Sequence, residues 1–199
     1  MRALLNEVPR EERIVTIEDA YELGIERFAD LHPDHDALQS RAANIEGRGE
    51  VTMADLTRMA LRMDPDRVIV GEVRGAEAFP MLMAMSQGNN GSMCTLHADS
   101  TRSVFPKLAA YMSMSSTSLP IETTNLLIAS SVHFVVHIEV VRGQRRVSSI
   151  REVVDSDGLT IMSNEVVRNL NGTVGIGYPL REETRELFEE CGFREEMLR

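Results

Sequence analysis

The sequence is short of the residues that several kinds of site require. Lys107 is the only lysine among the 199 residues, and it follows Pro106 in an apolar stretch. The sequence therefore contains no phosphate-binding loop of the form G-x-x-x-x-G-K-[ST], which needs a lysine after its second glycine. The two cysteines, Cys94 and Cys191, form no C-x-x-C pair, which argues against a cysteine zinc site and a disulfide framework.

Membrane-directing segments and positive charge are also scarce. The most apolar region, residues 126–141, is interrupted by Ser130, His133 and Glu139, so it cannot be a membrane-spanning helix. The first residues, MRALLNE, are too few and too polar for a signal peptide. Lysine and arginine total 21 against 31 acidic residues, and the formal charge of −10 opposes nonspecific binding to nucleic acid or anionic lipid. We therefore expect a cytoplasmic protein without a nucleic-acid partner.

The chain alternates between strand-like and helix-like segments. A β-branched run predicts a strand at residues 13–17, and further strands are predicted at residues 37–43, 68–73 and 92–97. Apolar residues spaced three or four apart predict helices at residues 1–8, 52–63, 76–87, 100–113 and 120–131. This order is typical of an α/β fold with a mainly parallel sheet and flanking helices. An antiparallel hairpin (133–141 and 145–154), a third strand near 159–167, a turn at 171–179 and a helix at 181–191 complete the prediction.

The strand at residues 68–73 delivers a carboxylate close to its end. Glu72 follows four apolar or small residues, and an ionised carboxylate rarely takes such a place unless it is paired or binds a metal. Open parallel sheets bind ligands beyond the carboxyl ends of their strands. A carboxylate there can hold Mg²⁺ or orient a water for attack on a γ-phosphate. The alternative is a glutamate that simply reaches solvent.

Two neighbouring strands end in further candidate residues. Glu18 and Asp19 follow the strand at 13–17, where two acids suit Mg²⁺ and a water. They also fit a helix N-terminus, because Glu22 lies three residues after Asp19 as in a capping box. His97 ends the next strand after Glu72 and is a candidate site residue, although a lone histidine is more often a packing residue.

The other histidines favour no metal site. His133 and His137 share a strand face, but four residues separate them by roughly 13 Å, which is too far for one ion. We expect both to pack. His32 and His35 lie in a polar stretch with two aspartates, where hard and soft ligands mix without a recognised spacing.

Several segments together resemble the type II/IV secretion ATPases. They read VTIED (15–19), NIEG (44–47), ALRM (60–63), PDRVIVGEVRG (65–75) and GSMCTLHA (91–98). The similarity runs from residue 1 to about residue 170, and the most similar subgroup powers tight-adherence (Flp-type) pili. The resemblance implies a RecA-like P-loop NTPase core that uses ATP and Mg²⁺. It also implies a homo-hexameric ring, which docks from the cytoplasm onto an inner-membrane pilus or secretion platform protein.

The same resemblance implies roles for individual residues. The first acidic segment corresponds to the family's aspartate box, the Gly-Glu strand to an atypical Walker B motif, and the Thr-x-His segment to the histidine box. Glu18 would polarise the attacking water, Glu72 would organise Mg²⁺ or water, and His97 would sense the γ-phosphate. The resemblance further implies nucleotide or intersubunit contacts for Arg41, Arg74 and Thr95, and a contribution to Mg²⁺ binding from Asp19.

The sequence departs from the family pattern at two places. Relatives have Thr-Gly-His where this chain has Gln87, Gly88 and Asn89. Relatives also carry a phosphate loop before a helix that residues 1–6 resemble, which predicts a chain cut just after that loop. The strand of the loop would then be missing, and two unpaired strand edges would face a gap in the sheet.

These departures set the expected domain organisation and activity. We expect a truncated ATPase core at residues 1–170, followed by a C-terminal turn and amphipathic helix at residues 171–199. The predicted function is the C-terminal part of a motor that couples ATP hydrolysis to pilin or protein export, inactive in isolation because it lacks the Walker A lysine. The alternative is a noncatalytic, degenerate ring subunit or interaction module that docks on the secretion platform.

Overall fold

The computed structural model describes residues 1–117, 119–170 and 173–194. The chain divides into two compact units. The first unit comprises Met1–His97 and Pro106–Pro120, and the second comprises Ala98–Phe105 and Ile121–Arg199. Within the described part of the chain, no helix is both long and apolar enough to cross a membrane.

The first unit is built on a parallel sheet. Its helices are α1 (Arg2–Leu5), a 3₁₀ helix (Ile25–Phe28), α2 (Met53–Ala60) and α3 (Ala78–Ser86), and its strands are β1 (Ile14–Glu18), β2 (His35–Gln39), β3 (Arg67–Val70) and β4 (Met93–Cys94). The strand order is β2-β1-β3-β4, and every neighbouring pair is parallel. All five residues of the central strand β1 are buried. Burial on both faces is typical of a parallel strand between helices.

Local sequence explains where α2 begins. The Thr52 side chain accepts a hydrogen bond from the Asp55 amide, and the Asp55 carboxylate accepts one from the Thr52 amide. This reciprocal capping box satisfies two amides that the first turn leaves without partners. Leu56 and Ala60 then bury one face of the helix.

The second unit contains an antiparallel sheet. Its elements are α5 (Ile121–Ser131), β5 (Phe134–Val141), β6 (Gln144–Ser156), β7 (Ile161–Leu170), β8 (Thr173–Ile176) and α6 (Glu182–Glu190), in the strand order β5-β6-β7-β8. Helix α4 (Val104–Ser113) starts in the second unit and continues in the first. The β5–β6 hairpin turns at Arg142 and Gly143, which both have positive φ angles.

The predicted fold class is confirmed, while several finer predictions are wrong. The parallel strands form one uninterrupted sheet, so no gap separates two unpaired strand edges within the described residues. Residues 173–176 of the predicted turn form strand β8, and Asn171 and Gly172 of that turn lie outside the described residues. The strand predicted at 37–43 ends at Gln39, and the strand predicted at 92–97 is reduced to Met93–Cys94. The prediction of a core to residue 170 and a separate C-terminal segment stays a prediction.

Candidate functional site

Three parallel strands end at the same edge of the first unit's sheet. The register places Ile17 of β1 opposite Val70 of β3, and Val70 opposite Cys94 of β4. Because the strands are parallel, the residues that follow them collect at one edge. The sheet continues briefly past the strand ends, since the Gly71 amide donates to the Ile17 carbonyl at 2.8 Å.

Glu72 is held between a cation and a histidine at this edge. Its Oε2 lies 2.8 Å from Nε of Arg74, and its Oε1 lies 3.0 Å from Nε2 of His97. The Glu72 side chain is 27% exposed, whereas that of His97 is 90% exposed. The carboxylate is therefore oriented by two groups, and the side chains of both are mainly exposed, 61% for Arg74 and 90% for His97.

Glu18 is buried and serves the backbone of the following loop. The residue is only 3% exposed, and its Oε1 accepts hydrogen bonds from the amides of Glu22 and Leu23, each at 2.9 Å. No α-helix follows Asp19, because the next helical turn is the 3₁₀ helix capped by Gly24. The capping-box alternative for Glu18 and Asp19 is therefore wrong.

Gly71 permits the close approach of β1 and β3 at the site. A Cβ atom at this position would lie 3.0 Å from Cγ of Glu18, which is closer than ordinary packing allows. The Gly71 carbonyl also accepts a hydrogen bond from Oγ1 of Thr95 at 2.5 Å. Gly71 thus fixes Thr95 and leaves space for the Glu18 side chain.

Asp19 reaches the same cluster through Arg74. Nη2 of Arg74 lies 3.6 Å from Oδ2 of Asp19, while its Nε contacts Glu72. Oδ1 of Asp19 accepts a hydrogen bond from Oγ of Ser40 at 2.5 Å. The sequence analysis did not identify Ser40, because the strand predicted there extends to residue 43. In the structure β2 ends at Gln39, so Ser40 directly follows a strand, as the other candidate site residues do.

Arg41 stands apart from these contacts. Its Nε donates to the Gly49 carbonyl at 2.8 Å, and its backbone pairs with Val51 in an isolated antiparallel bridge. The structure therefore joins Glu72, His97, Arg74 and Asp19 by direct contacts, and it places Arg41 in a local loop interaction.

The chemistry of the donors suits Mg²⁺ bound through water. Mg²⁺ commonly takes one or two protein carboxylates and keeps several waters. The carboxylates of Asp19 and Glu72 both contact the Arg74 guanidinium, so one positive charge can interact with both of them. Among the described residues, no group of three or more histidine, cysteine or acidic residues is arranged to hold a metal directly.

Of the other four histidines, three are hydrogen-bonded or buried, whereas His133, which was expected to pack, is exposed, so that prediction is wrong. Nδ1 of His137 lies 2.8 Å from Oγ of Ser148, and its Nε2 lies 3.2 Å from the Ala98 carbonyl. Nδ1 of His35 lies 2.7 Å from the carbonyl of His32, and His32 itself is 2% exposed. These contacts are those of packing residues.

Comparisons with known proteins agree with the sequence motifs. Residues 1–175 match the family described as type II/IV secretion system protein. A putative conjugal transfer protein of Mycobacterium tuberculosis is 38% identical over 79% of this chain and 43% of its own length. The type IV secretion system proteins VirB11 of Brucella suis and PtlH of Bordetella pertussis are 36% and 37% identical over 69% and 80% of this chain.

Solved structures show the same fold. The crystal structure of the VirB11 ATPase from the Brucella suis type IV secretion system, in complex with sulphate, aligns with a TM-score of 0.64 and 33% identity over 75% of this chain and 42% of that chain. The ATPase DotB of Legionella pneumophila aligns over 95% of this chain with a TM-score of 0.50 and 18% identity, which is a likeness of fold alone. The chain spans less than half the length of the relatives named above.

Proposed function

Because this chain belongs to the type II/IV secretion system protein family, whose members are secretion ATPases, we propose that it forms the C-terminal part of an ATPase domain. The domain would belong to a motor that couples ATP hydrolysis to the export of pilin or other proteins. The observation that carries the proposal is the position of Glu72, held between Arg74 and His97 at the carboxyl ends of parallel strands. Ligands bind at this edge in open α/β sheets.

We assign the central chemical role to Glu72. Its carboxylate orients the attacking water or helps to hold Mg²⁺, and its partners His97 and Arg74 are exposed enough to meet a phosphate. A γ-phosphate that draws these two partners away would leave the Glu72 oxygens for the water. Phosphoryl transfer needs such positioning and charge stabilisation more than covalent help from the protein.

The neighbouring residues take supporting roles in the proposal. Glu18 polarises the water through the oxygen that does not serve the Glu22 and Leu23 amides. Thr95 and Arg41 contact the nucleotide or an adjacent subunit. Asp19 and Glu72 supply the carboxylates for Mg²⁺, which when bound neutralises charge on the phosphates.

These 199 residues hold only part of such a site. Lys107, the one lysine, lies in α4 and not in a glycine-rich loop. A phosphate loop makes about three charge-assisted contacts of ~1.5 to 3 kcal/mol each, so its loss removes ~5 to 9 kcal/mol. That loss is comparable with the whole ~8 kcal/mol of a micromolar ATP site. We therefore predict no micromolar ATP binding and no turnover by the 199 residues alone, and calorimetry with Mg²⁺ and ATP checks this.

The assembly is the finer part of the proposal. The five segments that carry the resemblance, at residues 15–19, 44–47, 60–63, 65–75 and 91–98, are together similar to those of the subgroup that powers tight-adherence pili. We propose a homo-hexameric ring at the cytoplasmic face of the inner membrane, docked on a pilus or secretion platform protein. We also propose that residues 1–170 belong to the RecA-like core and residues 171–199 to a C-terminal appendage.

A noncatalytic ring subunit is the second candidate. It is favoured by Asn89, which stands where relatives have a histidine. A chimera separates the two functions: the N-terminal part of a relative, ending with its phosphate loop, is joined before residue 1 of this chain. ATP turnover by the chimera at the relative's rate supports the motor. A chimera that folds and binds ATP but does not hydrolyse it would support the noncatalytic subunit.

A further inference from the structure

The second unit contains a polar cavity that the proposed ATP site does not use. The cavity has a volume of about 350 Å³, within the usual range for sites that bind small ligands. Its walls carry three arginines and one acid: Arg102, Arg151, Arg168 and Glu165. Hydroxyl groups of Ser100, Thr101, Ser163 and Tyr178 complete much of the lining.

Arg151 is the buried base of this cavity. Its side chain is 5% exposed. Nε donates to Oγ1 of Thr101 at 3.1 Å, and Nη1 donates to the Ser163 carbonyl at 3.2 Å. Its Nη2 lies 3.9 Å from the nearest oxygen of Glu165, which is too long for a hydrogen bond. The guanidinium is thus fixed in place with donor capacity left for a ligand.

The charges at the cavity do not balance. Among the described residues, Glu165 is the only acid in the cavity lining, and its carboxylate is already bound by Arg168 at 2.9 Å and by Oγ of Ser149 at 2.6 Å. Within the described residues, Arg102 has no ion-pair partner. Burial lowers the pKa of Arg151, and the positive charge of Arg102 lowers it further. A local excess of positive charge persists in a chain whose formal charge is −10.

From this arrangement we propose that the cavity is a binding site for a soluble phosphate or diphosphate group. The buried Arg151 and the exposed Arg102 and Arg168 supply the positive charge, and the hydroxyls supply neutral donors. Arginine forks match the oxygens of phosphate geometrically, and charge-assisted hydrogen bonds of this kind are strong. The site is independent of the ATP chemistry proposed for Glu72, because all its residues belong to the second unit.

Titration with inorganic pyrophosphate and inorganic phosphate tests the proposal. Calorimetry of the 199-residue chain at constant ionic strength should show saturable binding of at least one of the two anions. Arg102→Gln and Arg168→Gln should each weaken binding at least ~10-fold, as expected for the loss of one charge-assisted contact. Both residues are exposed, so neither substitution removes core packing, and circular dichroism checks that each variant is folded.

The matched control is Arg145→Gln, which removes the same charge from an exposed position of β6 outside the cavity. It should leave the affinity within about twofold of the unchanged chain, because screened surface charges act weakly at a distance. Absence of binding by both anions overturns the proposal. An equal loss of anion affinity in Arg145→Gln also overturns it. A loss of affinity in Arg74→Gln, with none in Arg102→Gln and Arg168→Gln, overturns it as well, because the anion would then bind at the candidate ATP site.

Discussion

Replacement of Glu18 by alanine should destabilise the protein strongly. The carboxylate is 3% exposed, and one of its oxygens accepts hydrogen bonds from the amides of Glu22 and Leu23, each at 2.9 Å. Hydrogen bonds to charged groups contribute about 1.5 to 3 kcal/mol each. Because the two bonds share one oxygen, we take the lower value for each and expect Glu18→Ala to lower the free energy of unfolding by about 3 kcal/mol.

Glu18→Gln is the informative companion variant. Its amide oxygen can take the place of Oε1 and keep both hydrogen bonds, now as neutral ones of about 0.5 to 1.5 kcal/mol each. We expect a loss of about 1 to 2 kcal/mol, clearly smaller than for alanine. The control is Asp19→Ala, which truncates a 61% exposed side chain and should cost less than about 1 kcal/mol.

Urea unfolding followed by circular dichroism measures all three variants. The expected order of stability is Asp19→Ala, then Glu18→Gln, then Glu18→Ala. Equal stabilities of Glu18→Gln and Glu18→Ala would refute the reasoning, because the loss would then come from charge or side-chain volume and not from the two amide bonds.

Two further predictions concern thiol reactivity and a buried ion pair. Burial raises the pKa of the Cys94 thiol to about 12. At pH 8 iodoacetamide should therefore label the exposed Cys191 before Cys94. Equal labelling rates of the two cysteines in mass spectrometry would contradict this prediction. Arg181→Ala should lower the free energy of unfolding by about 2 kcal/mol, because it leaves Glu152 without its counter-ion. Glu152 is 1% exposed and lies 3.1 Å from Nε of Arg181. The control is Arg185→Ala, which breaks only exposed pairs, and similar urea midpoints for the two variants would contradict the prediction.

The sequence predicted the parallel sheet and the edge at which the candidate site lies. Periodic apolar runs located β1 and β3, and the order of elements predicted parallel pairing. From that alone, Glu72 and His97 were expected at one edge, and the structure places them 3.0 Å apart. The buried strand predicted at residues 13–17 also agrees with β1, which is buried and runs from Ile14 to Glu18, one residue later at each end.

Strand adjacency could not be read from the chain. The prediction of a gap assumed that the missing strand lay between those present, but β1, β3 and β4 are direct neighbours. Order along the chain fixes which elements exist, whereas order in the sheet depends on packing among all of them. The pairing of Arg74 with both Asp19 and Glu72 is likewise a long-range contact without a local signal.

Strand β8 lies where the glycine-rich sequence predicted a turn. The glycines near residue 175 predict a turn in the sequence. Gly177 is instead required by close packing, because a Cβ there would lie 2.2 Å from the Glu165 carbonyl oxygen. Its amide and that of Tyr178 donate to β7 carbonyls, each at 2.9 Å. A glycine that permits backbone contact and one that permits a turn look alike in sequence.

The most direct test of the account is the effect of Glu72→Gln on ATP turnover in the chimera that carries a relative's phosphate loop. If Glu72 positions the water, turnover should fall at least ~10²-fold while the ATP dissociation constant stays nearly unchanged, because this interaction acts mainly in the transition state. Glu50→Gln, at an exposed position, should leave both quantities unchanged. Equal losses of binding and turnover, or full activity of Glu72→Gln, would contradict the account.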